Sequence, residues 1–284
     1  MVKIEAHQII EFWLNSNSLI KIGLFLIIWA AIWLPIAYPL ARLTKWHPAA
    51  PISQTQKVTL IIPLYLIAPL LAWGVIKLGE QSLNQTKFIL QPSLFQFILL
   101  GYLLGIITIA IIDGLEILTG FLKLESLGNL TISQWLTFPL LIFVSLLIAS
   151  VEELIFRGIF VDFLWQDYSL WLTAIISSLI FALLHLTWER KNTLPQLPGL
   201  FLMGVVLYFA RLVADNHLGL AIGIHGGWVF ILAVLDTFDC YSYTDKSKGW
   251  IVGKKGQPLG SLAGISIIII TAIILITINK YIAV

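Results

Sequence analysis

Leu136-Thr-Phe-Pro-Leu-Leu-Ile-Phe-Val-Ser-Leu-Leu-Ile-Ala-Ser-Val151 is an uncharged apolar run that passes without a break into Glu152-Glu153-Leu-Ile-Phe-Arg157-Gly. Its length suits a membrane-spanning helix, which needs about 20 apolar residues. Two adjacent carboxylates inside such a helix are costly, about 2.5–3.5 kcal/mol each near a bilayer centre on insertion scales. Glu153 and Arg157 stand four apart on one helical face and can pair. Glu152 points about 100° away and is left for other work.

Working outward, the pattern repeats. Uncharged runs occupy Ile22–Ala41, Val58–Ile76, Leu94–Ile112, Leu136–Trp165, Leu170–Trp188, Leu197–Ala210, Leu218–Leu235 and Leu259–Ile278. The 284 residues are 59% hydrophobic and only 11% charged, against about 25% charged in soluble domains, which settles a polytopic membrane chain. Mean hydropathy is +0.94. The predicted fold is an all-α transmembrane bundle of about eight spans around an intramembrane polar cavity. Pro35, Pro63, Pro69 and Pro139 lie within spans and are expected to kink them. Ahead of the first span, Ile4, Ile9, Ile10, Phe12 and Trp13 alternate with Glu5, His7 and Glu11, the pattern of a short helix lying on the membrane surface or of a frayed tail. The first apolar run is too long for a cleaved signal and is expected to be retained.

The net charge of +2 and the absence of a basic run give no nucleic-acid partner, and the single Cys240 excludes an intramolecular disulfide. Loops after spans one, three, five and seven carry ten Lys and Arg: Arg42, Lys45, Lys57, Lys123, Arg190, Lys191, Lys246, Lys248, Lys254 and Lys255. The other side carries six: Lys3, Lys21, Lys77, Lys87, Arg211 and Lys280. The richer side is the cytoplasmic candidate.

Other polar residues cluster by depth. Phe181 and His185 share a face of span five, and His225 in span seven is followed by Gly226 and Gly227. With the turn between spans four and five near Asp167, Glu153 and His185 both lie about 20–27 Å from it. His225 falls near mid-membrane. Each group has a plain structural use: an intramembrane histidine commonly bridges helices by a hydrogen bond, and Glu153 with Arg157 can be a neutralised clip. Glu152 has no such use.

Glu152-Glu-x-x-x-Arg157, then Phe181-x-x-x-His185, then Phe201-Leu-Met-Gly204 and Ala221-Ile-Gly-Ile-His225 resemble the CAAX-protease and bacteriocin-processing (CPBP) family of intramembrane proteases over roughly Leu136 to Leu235. The resemblance divides the chain into residues 1–135 (surface helix and three spans), 136–235 (catalytic core) and 236–284 (loop and last span). It implies Glu152 as general base, His185 positioning the attacking water and His225 stabilising the oxyanion, with Glu153, Arg157 and Phe181 supporting the site. The substrate implied is a membrane-associated peptide or protein, in a cavity open toward the cytoplasm. The family has been described both as metalloproteases and as metal-independent glutamate proteases; a divalent ion such as zinc would fall to Glu152, His185 and His225. One position departs. The family's last motif has Asn four residues after the histidine, where this chain has Val229. If that Asn binds the oxyanion, a donor worth about 2.7–4 kcal/mol is missing, or a backbone amide of Gly226 or Gly227 replaces it. A catalytically silent scaffold or immunity-type protein, and a proton-coupled transporter, remain as rival classes.

Overall fold

The computed structural model describes residues 6–47, 50–78, 92–125, 131–188, 190–253 and 257–282. Ile4 and Glu5 of the expected surface helix, and Lys3, Lys87, Lys254 and Lys255 of the loop count, lie outside them. Among the described residues eight helices are long and apolar enough to cross a membrane: Ser18–Leu43, Thr55–Leu78, Pro92–Leu118, Thr137–Asp167, Leu170–Thr187, Arg190–Val213, Gly219–Thr237 and Leu262–Asn279. These are spans one to eight. The sixth is longer than its apolar run because short helical turns at Arg190–Thr193 and Leu194–Gln196 lead into it. A helix at Ala6–Asn15 precedes them, and Trp13 docks edge-on against Phe163 of span four, ring centroids 5.7 Å apart. The sequence gives no sign of the two-stranded antiparallel sheet, Leu122–Leu124 with Tyr241–Tyr243, that ties the loops after spans three and seven.

The outer faces are apolar: Ile27, Leu66, Phe95, Leu99, Phe143 and Trp171 are exposed, as lipid-facing side chains must be. Inside, two contacts fix the site. Trp29 and Trp33 of span one donate from their indole nitrogens to the carbonyls of Leu64 and Leu60, each at 2.9 Å, pinning span two to span one. Spans three and seven meet backbone to backbone. A Cβ on Gly105 would stand 2.5 Å from the Ile224 carbonyl oxygen, and one on Gly227 2.3 Å from that of Tyr102. Small residues at four-residue spacing let helices approach this closely, and here the approach brings His225 to span four.

Span four is not a uniform α-helix. Leu154–Ile159, directly after the glutamate pair, forms a π-helical turn in which the Phe160 N–H donates to the Ile155 carbonyl, five residues back. The wider turn takes carbonyls out of the α-helical ladder, and neighbouring spans satisfy them. Ser177 of span five donates to Phe156 at 2.9 Å. Arg211 of span six donates from one nitrogen to the carbonyls of Arg157 and, at 3.3 Å, Gly158, and pairs with Asp162 at 2.6 Å through the other. Arg211 is 1% exposed and its guanidinium lies 4.4 Å from the Trp165 ring centre. Its place among the loop cations is therefore corrected: it is a bundle-interior residue.

Candidate active site

Glu153 and Arg157 pair at 3.1 Å with both side chains fully buried. Arg157 stacks over Phe181, 4.2 Å from guanidinium carbon to ring centre. A charge withdrawn from solvent needs such company, and the π face of an aromatic ring supplies part of it. Phe181 also packs edge-on against His185 and His225, at 4.5 and 6.3 Å between ring centroids, so one buried ring spaces all three cationic or titratable neighbours.

The two glutamates straddle one imidazole. His225 Nδ1 lies 2.8 Å from Glu153 Oε1, and Nε2 lies 3.8 Å from Glu152 Oε2. Glu153, already bound to Arg157, is an acceptor, so Nδ1 carries the proton and the other nitrogen is turned to Glu152. A buried carboxylate that fixes a histidine tautomer in this way is a recurring catalytic device. His225 is 3% exposed and lies behind Glu152, off the cavity wall.

His185 is placed differently. Span five leaves the α-helix at Leu184, and His185 opens a 3₁₀ turn, with Nδ1 2.8 Å from the Phe181 carbonyl oxygen. A carbonyl only accepts, so Nδ1 is the protonated nitrogen and Nε2 presents a lone pair. His185 and Glu152 both line a cavity of about 520 Å³. Its floor and sides are apolar, with Leu26, Trp29, Leu64, Phe156, Leu184 and Leu200, and its rim carries Lys57, Asn192 and Gln196. Those rim residues stand at the span ends that face the loops after spans one and five. Among the described residues Glu152 is the one carboxylate in the wall.

Glu152 does have a partner, contrary to the sequence reading. The Tyr65 hydroxyl of span two donates to Glu152 Oε1. Its other oxygen, Oε2, is buried without a hydrogen bond. Spans one and two, which carry no motif, thus supply much of the cavity and one direct contact to the glutamate. A hydroxyl in mid-span between Pro63 and Pro69 was the available signal. Val229 is partly buried one turn beyond His225 and brings no donor. The amides of Gly226 and Gly227 cannot replace one, because both lie inside the continuous helix of span seven and belong to its hydrogen-bond ladder.

Among the described residues no group of three or more His, Cys, Asp or Glu side chains is arranged to hold a metal ion. Glu152, His185 and His225 form no such group in this arrangement.

Comparison with known proteins agrees with the motif pattern. Residues 134–231 match the family model described as type II CAAX prenyl endopeptidase Rce1-like. No curated protein and no solved structure matches the chain. The match covers spans four to seven up to Ile231, which holds both glutamates, Arg157, Phe181 and both histidines. Residues 134–231 of this integral, multi-pass membrane protein thus match an Rce1-like type II CAAX prenyl endopeptidase domain, in line with the resemblance to the CPBP family.

Proposed function

We propose that this protein is an intramembrane endopeptidase in which Glu152 activates water against a peptide bond of a membrane-associated peptide or protein. The observation that carries the reading is Glu152 itself: among the described residues, the one carboxylate in the wall of a largely apolar cavity that His185 also lines. In the reaction Glu152 takes a proton from water as the water oxygen bonds to the carbonyl carbon. The carbonyl pair moves onto oxygen, giving the tetrahedral oxyanion. Glu152 then returns the proton to the amide nitrogen as the C–N bond breaks. The lone pair on His185 Nε2 accepts from the same water and orients it. His225 stands behind Glu152, and Glu153, itself paired with Arg157, holds its ring.

The cavity rim favours entry from the side of the loops after spans one and five. With Arg211 removed from the opposing count, the ten-to-six asymmetry becomes ten to five, which favours the cytoplasm for that side. The apolar wall suits a hydrophobic segment, and the polar rim suits the peptide backbone entering beside it.

The test is purified protein in lipid nanodiscs with a library of membrane-anchored peptides. Wild type is expected to cleave, and Glu152→Gln to lower kcat by about 10²–10⁴-fold. Cleavage by Glu152→Gln at the wild-type rate overturns the assignment of the base. A wild type that cleaves no peptide favours the silent scaffold. Activity before and after chelation addresses metal dependence separately.

A further inference from the structure

We propose that Tyr65 is a catalytic residue of this site: its hydroxyl holds Glu152 before the reaction and turns to the oxyanion during it. The inference rests on the proteolytic reading above and adds a group from span two, outside the matched segment.

Three observations carry it. The Tyr65 hydroxyl donates directly to Glu152 Oε1, so it lies beside the reacting carboxylate. The same residue lines the cavity, so a substrate carbonyl placed against Glu152 also meets Tyr65. The groups on spans five and seven that the motif pattern offers as donors are committed elsewhere or carry none. His225 is turned to the two glutamates, His185 donates to the Phe181 carbonyl, and Val229 has no polar atom. Tyr65 is also held in place, because Trp29 donates to the carbonyl of Leu64, its neighbour in the chain.

The switch follows from charge. Before attack, negative charge sits on Glu152 and draws the Tyr65 hydroxyl. When Glu152 takes the proton from water it becomes neutral, and the charge appears on the carbonyl oxygen. The hydroxyl then bonds more strongly to the oxyanion, since hydrogen bonds to an ionised acceptor are about twice as strong as neutral ones. No bond to Tyr65 is made or broken; one hydrogen bond changes acceptor. Its bond to the oxyanion exists only where charge develops, which bears on kcat rather than on substrate affinity.

The experiment compares wild type and Tyr65→Phe in nanodiscs on one peptide that the wild type cleaves. The expected result is a kcat lowered about 10²–10³-fold with KM within about twofold. A phosphinate analogue of that peptide, mimicking the tetrahedral intermediate, should lose affinity by the same factor, while an uncleavable ground-state analogue keeps its affinity. A purely structural tyrosine would weaken both analogues alike or neither, and either result overturns the proposal. Should Tyr65→Phe not fold, 3-fluorotyrosine at position 65 keeps the ring and alters the acidity of the hydroxyl. A changed kcat at constant KM then supports the role, and an unchanged kcat overturns it. A wild type without activity on any peptide removes the protease reading and this one together. Equal cleavage by wild type and Tyr65→Phe removes only this one.

Discussion

Gly105→Ala should separate spans three and seven and disconnect the site at its far wall. The added Cβ would stand 2.5 Å from the Ile224 carbonyl oxygen and 3.1 Å from both Gly227 Cα and Trp228 N. All three are backbone atoms, so no side chain can swing aside. Reaching an ordinary contact of about 3.4 Å requires the helices to part by about 0.9 Å at this point. If span seven takes up that motion, the 2.8 Å contact of His225 with Glu153 opens to about 3.7 Å, outside hydrogen-bond range. Overpacking costs about 1–3 kcal/mol, and losing a hydrogen bond to a charged group adds about 1.5–3 kcal/mol. A displacement of about 1 Å in a catalytic group lowers activity by about 10²-fold. Unfolding by SDS titration in mixed micelles, with peptide cleavage in parallel, measures both effects. Gly114→Ala is the internal control, on the same span with nothing within 4 Å of its Cβ. If Gly105→Ala and Gly114→Ala match in stability and turnover, the backbone-to-backbone contact does not position His225 and the reasoning fails.

Two further outcomes are expected. Arg157→Met leaves Glu153 buried with His225 alone and should destabilise the protein by about 3–5 kcal/mol; Glu153→Gln combined with Arg157→Met should cost less than the sum of the single changes, and additive costs in an SDS-unfolding cycle would show that the pair is not coupled. Burial, and next the charge of Asp239, push the Cys240 thiol up from its ordinary value. With the chain's single thiol 1% exposed, maleimide should label folded protein slowly at neutral pH, faster as pH rises and the thiolate fraction grows, and completely after SDS, as followed by mass shift; rapid labelling of the folded state at neutral pH would contradict that burial.

The spans were legible because a bilayer imposes one dominant rule, about 20 apolar residues per crossing, on each helix separately. The Glu153–Arg157 pair was legible for a similar reason, since an i,i+4 contact depends on one helix alone. What escaped the sequence depends on how helices meet. Tyr65 reads as one more aromatic in an apolar run until span two is laid against span four. Arg211 sits near the end of its run, where a cation ordinarily marks the membrane boundary, and only its contacts with Asp162 and the carbonyls of Arg157 and Gly158 reveal an interior role. The glycines of span three carry the pattern Gly101-x-x-x-Gly105, but their partners in span seven fix its meaning. His185 marks a third kind of limit: its residue type was evident, but the change from α to 3₁₀ geometry that aims its ring was not.

The π-helical turn at Leu154–Ile159 also sets a rotational phase. Glu153 and Asp162 are nine positions apart, and at about 100° per residue an uninterrupted α-helix would place them on opposite sides. A turn that absorbs one extra residue winds everything beyond it back by about 100°, reducing their angular offset to about 80°. Both carboxylates then face the interior of the bundle, one toward His225 and the other toward Arg211. The half of span four that carries the glutamate pair and the half that anchors it are thereby brought onto neighbouring azimuths of a single helix, which two α-helical halves in continuous register could not do.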